Sequence, residues 1–203
     1  MGLGVAAWGL CAGGSAAAAS SADELVRQAR AHEAAHEEDV AVRRYMEALS
    51  VDPTSGDAWM GLGGLRMKLG DPKEAERVYA AALEHVPGLH GALRGRAHAL
   101  WAMARRHEAE DALDAYATLA NDAAALRELA EWYASEGRTP AQLATWRRLL
   151  ARAARGADVE GAREARRMVR ALVILVDRAD PAAAPVQPDP TRRALAAIAR
   201  RGG

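Results

Sequence analysis

Cysteine is nearly absent from this 203-residue chain; Cys11 is the only one. That rules out an intramolecular disulfide framework. Phenylalanine is absent and aromatic residues make up 4%. Net charge is zero, from 27 basic and 27 acidic residues, so the overall basic excess of a nucleic-acid binder is missing. No apolar run approaches the roughly 20 residues needed to cross a bilayer. No window alternates apolar and polar residues with β-branched side chains, so strands are not expected. Gly61-Leu62-Gly63-Gly64 lies inside a helical pattern without a preceding strand, which removes it as a phosphate-cradling loop. No Ser/His/Asp set can be assembled.

What is present is alanine, 51 residues of it. Alanine has the best intrinsic helix propensity, so the composition points to an all-α fold. The charge is unevenly placed. Residues 23–122 hold 18 acids and 12 bases, and residues 123–203 hold 9 acids and 15 bases. The expected reading is a solvated, mildly dipolar surface with no nucleic-acid partner; head-to-tail self-association of the opposite ends is an alternative.

Small and aromatic residues return every 34 positions. Ala41, Ala75 and Ala109 keep that step, as do Ala29, Gly63 and Ala97; Tyr45 and Tyr79, Ala48 and Ala82, and Pro53 and Pro87 are each one step apart. A fixed period in this range marks a repeat array. Within one period, Trp59, Leu62, Leu65 and Leu69 form a helical stripe. Gly70-Asp71-Pro72 breaks it, with Pro72 suited to the first turn of the next helix. Ala75, Val78, Tyr79, Ala82 and Leu83 make a second stripe, and Val86-Pro87-Gly88 ends it. One such pair cannot bury its apolar face alone, so at least three must stack.

The segment Gly56–Leu89 resembles the tetratricopeptide repeat, with Trp59, Leu62, Gly63, Gly70, Ala75, Tyr79, Ala82 and Pro87 at its signature positions. Residues 22–55 match at Ala29, Ala41, Tyr45, Ala48 and Pro53, but carry Leu25 for the first Trp and His36 for the turn Gly. The window from His90 keeps Ala97 and Ala109 and has Asn121 for the closing Pro. A fourth begins near Ala123 and keeps Leu129, Ala130, Tyr133, Gly137 and Trp146, with Gln142 at an Ala position. The resemblance implies a right-handed superhelical array of antiparallel helix pairs, about four repeats (22–55, 56–89, 90–122 and 123–156), within an array domain of 22–157. It also implies a protein- or peptide-binding scaffold with no catalytic residue, metal or cofactor. The family's groove positions fall on Arg30, Met60, Gly61, Gly64, Met67, Arg94, His98, Trp101 and Arg127. The glycines there are expected to let a ligand backbone or packed helix approach, and the methionines to adapt to apolar anchors. Relatives that clamp a terminal carboxylate use Lys and Asn at places held here by Val26, Arg30, Gly61, Gly91 and Gly95, so that role is not implied.

Residues 1–21 carry no charged side chain. Leu3–Leu10 is a short apolar run and Ala16–Ala19 supplies small residues. This resembles a cleavable secretory signal peptide with cleavage near Ala19 or Ala22, although no Lys or Arg precedes the run. The alternative is an unstructured leader. Removal would take Cys11 with it and place the protein in the periplasm or outside the cell, in a bacterial envelope; without removal it would be cytoplasmic.

His32-Glu33-Ala34-Ala35-His36 spells HExxH. On one helix the two histidines would share a face and could hold zinc, with Glu33 as general base. The acidic Glu37-Glu38-Asp39 that follows, and the repeat register that puts His36 at a turn, favour incidental histidines. A zinc metallopeptidase built on His32, Glu33 and His36 is the catalytic alternative, and a self-assembling structural subunit the third. His85, His90, His98 and His107 show no ligand spacing.

At the C-terminal end, 158–178 reads as a packing helix whose ALVILV run suggests burial on two sides. Residues 179–190 read as a Pro/Ala linker, and 191–203 as a short basic helix.

Overall fold

The computed structural model describes residues 12–156 and 158–179. Among the described residues the structure is all-α, with nine helices and no strand: α1 (Ala12–Ala34), α2 (Glu38–Val51), α3 (Gly56–Lys68), α4 (Pro72–His85), α5 (His90–Ala102), α6 (Arg106–Leu119), α7 (Ala123–Ser135), α8 (Thr139–Arg155) and α9 (Val159–Ala179). Cys11, the 180–190 stretch of the linker and the terminal basic helix lie outside the described residues. The chain divides into two compact units, Met1–Ala125 and Leu126–Gly203.

In the first unit α1, α3 and α5 stand side by side, and each also packs against the helix that follows it. The 34-residue period supplies the contacts. Ala29, Ala41, Ala48, Ala75, Ala82, Ala97 and Ala109 are all fully buried. A methyl group at each of these points lets backbones approach closely, and Tyr45 and Tyr79, both buried, fill the space beside them.

The turns inside the helix pairs share one hydrogen-bond pattern. After α3, the Asp71 N–H donates to the Arg66 carbonyl at 3.0 Å and the Gly70 N–H to Met67 at 3.1 Å. After α1, Glu37 donates to His32 and His36 to Glu33; after α5, Arg105 donates to Leu100 and Ala104 to Trp101. These are Schellman turns, in which one left-handed residue satisfies the last carbonyls of a helix. That residue is Gly70 at φ 75°, His36 at φ 58° and Ala104 at φ 59°. Only glycine takes this conformation without a Cβ clash. Ala104→Gly should therefore raise stability by about 1 kcal/mol, read as a higher melting temperature; a decrease would show that Ala104 contributes more through its methyl than it loses in strain.

Starts are capped as the sequence suggests. The Asp71 side chain accepts the Glu74 N–H at 3.2 Å, with Pro72 in the first turn of α4. Ser55 accepts the Ala58 N–H at 3.4 Å. Trp59 Nε1 donates to the Pro53 carbonyl at 2.8 Å and its ring stacks on His85 at 5.5 Å, tying the start of α3 to the end of α4.

In the second unit, Leu129, Leu143, Trp146, Leu149 and Ala153 are buried, as are Ala162, Ala165 and Leu172 of α9. The ALVILV run is not buried on two sides. Leu172 is covered, but Ile174 and Leu175 are each 52% exposed. One face of α9 packs on α8 and the opposite face carries Arg163, Arg166, Arg167 and Arg170, so the apolar run wraps past the edge of its contact.

Helix α1 begins at Ala12 and runs through both sites considered for cleavage. Ala22 is fully buried, packed with Val26 and Ala29 in the core that includes α2.

Candidate binding cleft

Two tyrosines determine where the first unit can be open. Tyr45 lies across Gly61, where an added Cβ would overlap the ring; Tyr79 does the same at Gly95, and a Cβ at Gly63 would stand 2.5 Å from its Cε1. The glycines at 61 and 95, expected to admit a ligand, instead admit the repeat's own aromatic rings. Gly64 is less crowded, with the Tyr79 hydroxyl at 4.0 Å. Burial pushes the Tyr79 hydroxyl pKa up. Burial, with the Glu33 charge beside it, pushes that of Tyr45 up to about 12.

Beside Tyr79 there is a cleft of about 330 Å³, lined by Met60 and Met67 of α3, Tyr79 of α4, and Gly91, Arg94, Gly95 and His98 of α5. Methionine thioethers and the tyrosine ring form an apolar floor, and a guanidinium and an imidazole stand at its side. Four of the expected groove residues, Met60, Met67, Arg94 and His98, are brought together here. Tyr79 was not among them. The sequence does carry a signal for it: Tyr45 and Gly61 recur 34 positions on as Tyr79 and Gly95.

The other expected groove residues lie elsewhere. Trp101 does not line the cleft; the Arg106 guanidinium sits 3.9 Å from its ring centroid and also donates to its carbonyl. Arg127 belongs to the second unit, where it pairs with Glu164 at 2.8 Å. Arg30 pairs with Asp57 at 3.0 Å. Arg94 lies 6.0 Å from the Tyr116 ring centroid. It also adds to the field that acts on Asp122.

HExxH is taken apart by the turn it spans. Helix α1 ends at Ala34, and His36 sits beyond it in the left-handed conformation with its side chain 90% exposed. The two histidines therefore do not share a helical face. His32 Nδ1 contacts Glu37 at 2.6 Å. Glu33, the would-be general base, accepts the Tyr45 hydroxyl at 3.2 Å and pairs with Lys68. Among the described residues no three His, Cys, Asp or Glu side chains cluster as a metal site would require. The zinc-peptidase alternative finds no support in this geometry.

The model of the tetratricopeptide repeat family matches residues 32–96. Among solved structures, the first repeat domain of Spaghetti (RPAP3) bound to the HSP90 peptide SRMEEVD is similar at 18% identity and TM-score 0.54, over 59% of this chain and 95% of that one. The MamA protein is similar at 17% identity and TM-score 0.55, over 84% and 98%. The first repeat domain of human RPAP3 is similar at 20% identity and TM-score 0.51, over 58% and 95%. No curated protein matches the chain. Likeness at these identities speaks to the fold, and the all-α repeat fold agrees with the period-34 alanines it buries and with the tetratricopeptide-repeat match over residues 32–96.

Proposed function

We propose that this protein is a non-catalytic scaffold that binds a peptide segment of another protein at the cleft between Met60, Met67, Tyr79, Arg94 and His98. The observation that carries this reading is the pairing of a soft apolar floor with two nitrogen-bearing side chains in one opening. The fold is one typically used to bind proteins, and one solved neighbour holds a peptide. The chemistry suits an apolar side chain flanked by an acidic one in an extended or helical segment. It does not suit a clamp on a terminal carboxylate. Arg30 is already paired with Asp57 and Lys68 with Glu33, while Val26, Gly61, Gly91 and Gly95 offer no charge.

Selection from a displayed peptide library should yield sequences with an apolar–acidic core. Met67→Glu should abolish their binding with circular dichroism unchanged, because it places a carboxylate on the apolar floor. Glu33→Gln should leave binding intact, and a peptide ending in EEVD should not bind. Selected peptides that bind Met67→Glu as well as the unaltered protein would place the site elsewhere.

The proposed setting is a bacterial cell envelope, reached by removal of the leader. Burial of Ala22 favours processing near Ala19 over processing after Ala22, since the latter would strip a packed residue from α1. Mass spectrometry of the protein from its native host should show a chain starting at about Ser20; a full-length cytoplasmic product would overturn the envelope setting and leave the cleft reading untouched.

A further inference from the structure

The solvent face of α9 is a row of arginines that ends in exposed aliphatic side chains. Arg163, Arg166, Arg167 and Arg170 line one trough of about 370 Å³ with Glu160. Arg163 pairs with Glu160 at 2.7 Å. Arg166, Arg167 and Arg170 are exposed and have no ion pair or hydrogen bond among the described residues. Like charges three and four positions apart on a helix repel. Here Arg163 and Arg167, and Arg166 and Arg170, are such pairs, and of these four only Arg163 has an acidic partner among the described residues. Ile174, one turn beyond Arg170, continues the same face at 52% exposure.

Helix α6 carries the complement. Glu108, Asp111, Ala115 and Leu119 are spaced by three, four and four residues, as are Arg163, Arg166, Arg170 and Ile174. Glu108 and Asp111 are exposed, and Leu119 is 58% exposed. Glu108 shares a charge with Arg105 of its own helix; Asp111 has no ion pair or hydrogen bond among the described residues. Laid parallel in this register, Glu108 meets Arg163, Asp111 meets Arg166, the small Ala115 leaves room for the Arg170 stem, and Leu119 meets Ile174. The match extends over twelve residues, about 16 Å of helix, a length over which two packed helices can stay in contact.

We propose that α9 of one chain docks on α6 of a second copy. The two patches differ, so the contact is head-to-tail, and each bound copy still offers one free face of each kind; assemblies grow as open chains unless the rotation closes them into a ring. A second copy is favoured over an anionic lipid surface or another acidic protein because position-by-position complementarity, apolar end included, is found on this chain. The acidic excess of residues 23–122 and the basic excess of residues 123–203 act in the same direction.

Sedimentation velocity of the full chain tests this. At low ionic strength the mass should rise with concentration from the low micromolar range upward, and it should fall back in high salt. Arg166→Glu with Arg170→Glu, and separately Asp111→Arg with Leu119→Arg, should each weaken association at least about tenfold while circular dichroism stays native, since all four side chains face solvent. Mixed together, the two variants retain one intact pair of faces between them and should form 1:1 dimers that grow no further. A single monomer mass at all concentrations, or assembly that both variants retain, overturns the proposal. So does a monomeric protein that binds phosphatidylglycerol vesicles through the arginine row.

Discussion

Gly95→Val should cost the first unit on the order of 1–3 kcal/mol of stability, measured by urea denaturation followed by circular dichroism. The reason is the place of Tyr79. Its ring is buried, with Gly63 of α3 on one side and Gly95 of α5 on the other. A Cβ at either glycine falls within contact distance of ring carbons, and a branched side chain adds two more methyl groups. The ring cannot move away from one glycine without meeting the other helix. Tyr79→Ala alone should cost about 3–5 kcal/mol, as for other large buried aromatic truncations. Combined with Gly95→Val, the loss should be clearly smaller than the sum, because the valine then occupies part of the space the ring left. Strict additivity would show that ring and glycine do not share that space.

That arrangement also shows what the sequence made legible. The 34-residue step identified the buried alanines, the breaks at Gly70-Asp71-Pro72 and Val86-Pro87-Gly88, and the placement of His36 at a turn. Each of these depends on local chemistry: a small residue at a crossing, a left-handed turn, a proline at a helix start. The step did not say what the glycines at 61 and 95 were for. Absence of a side chain reads the same whether the neighbour is a ligand or a tyrosine 16 residues earlier in the chain. The distinction is tertiary.

The same limit applied to the cleft. Met60, Met67, Arg94 and His98 lie on facing sides of α3 and α5, so helical register alone brought them together. Trp101 has a groove position by register, but Arg106 follows it by five residues and folds back over its ring. Arg30 has a groove position by register, and the structure pairs it with Asp57, as it pairs Lys68 with Glu33. The partner in the second pair lies 35 positions away, beyond the reach of any local pattern. In α9, hydrophobicity all round suggested two covered faces, yet burial is decided by what stands opposite, and Ile174 faces solvent.

Asp122→Ala should cost about 2 kcal/mol, roughly half from the lost helix cap and half from a hydroxyl left without its acceptor. The Asp122 carboxylate accepts the Ala124 N–H at 2.7 Å and the Ala125 N–H at 3.4 Å, at the start of α7. It also accepts the Tyr116 hydroxyl of α6 at 3.1 Å. Partial burial pushes the carboxyl pKa up, but the Ala124 N–H, the Tyr116 hydroxyl, the Ala125 N–H and the Arg94 charge outweigh it and hold the group below its ordinary 3.8. Asp122 therefore binds its proton less readily in the folded chain than in the unfolded one. Its stabilising contribution is complete above 3.8 and is lost as pH falls through the lower folded value. Asp122→Asn keeps an acceptor for the cap and should retain most of the stability near neutrality, while removing this part of the acid sensitivity. Urea midpoints for the three proteins, taken near pH 7 and again well into the acid range, check both parts. If Asp122→Ala lost as much stability between those two conditions as the unaltered protein does, the carboxylate would not be the group whose protonation weakens this end of the first unit.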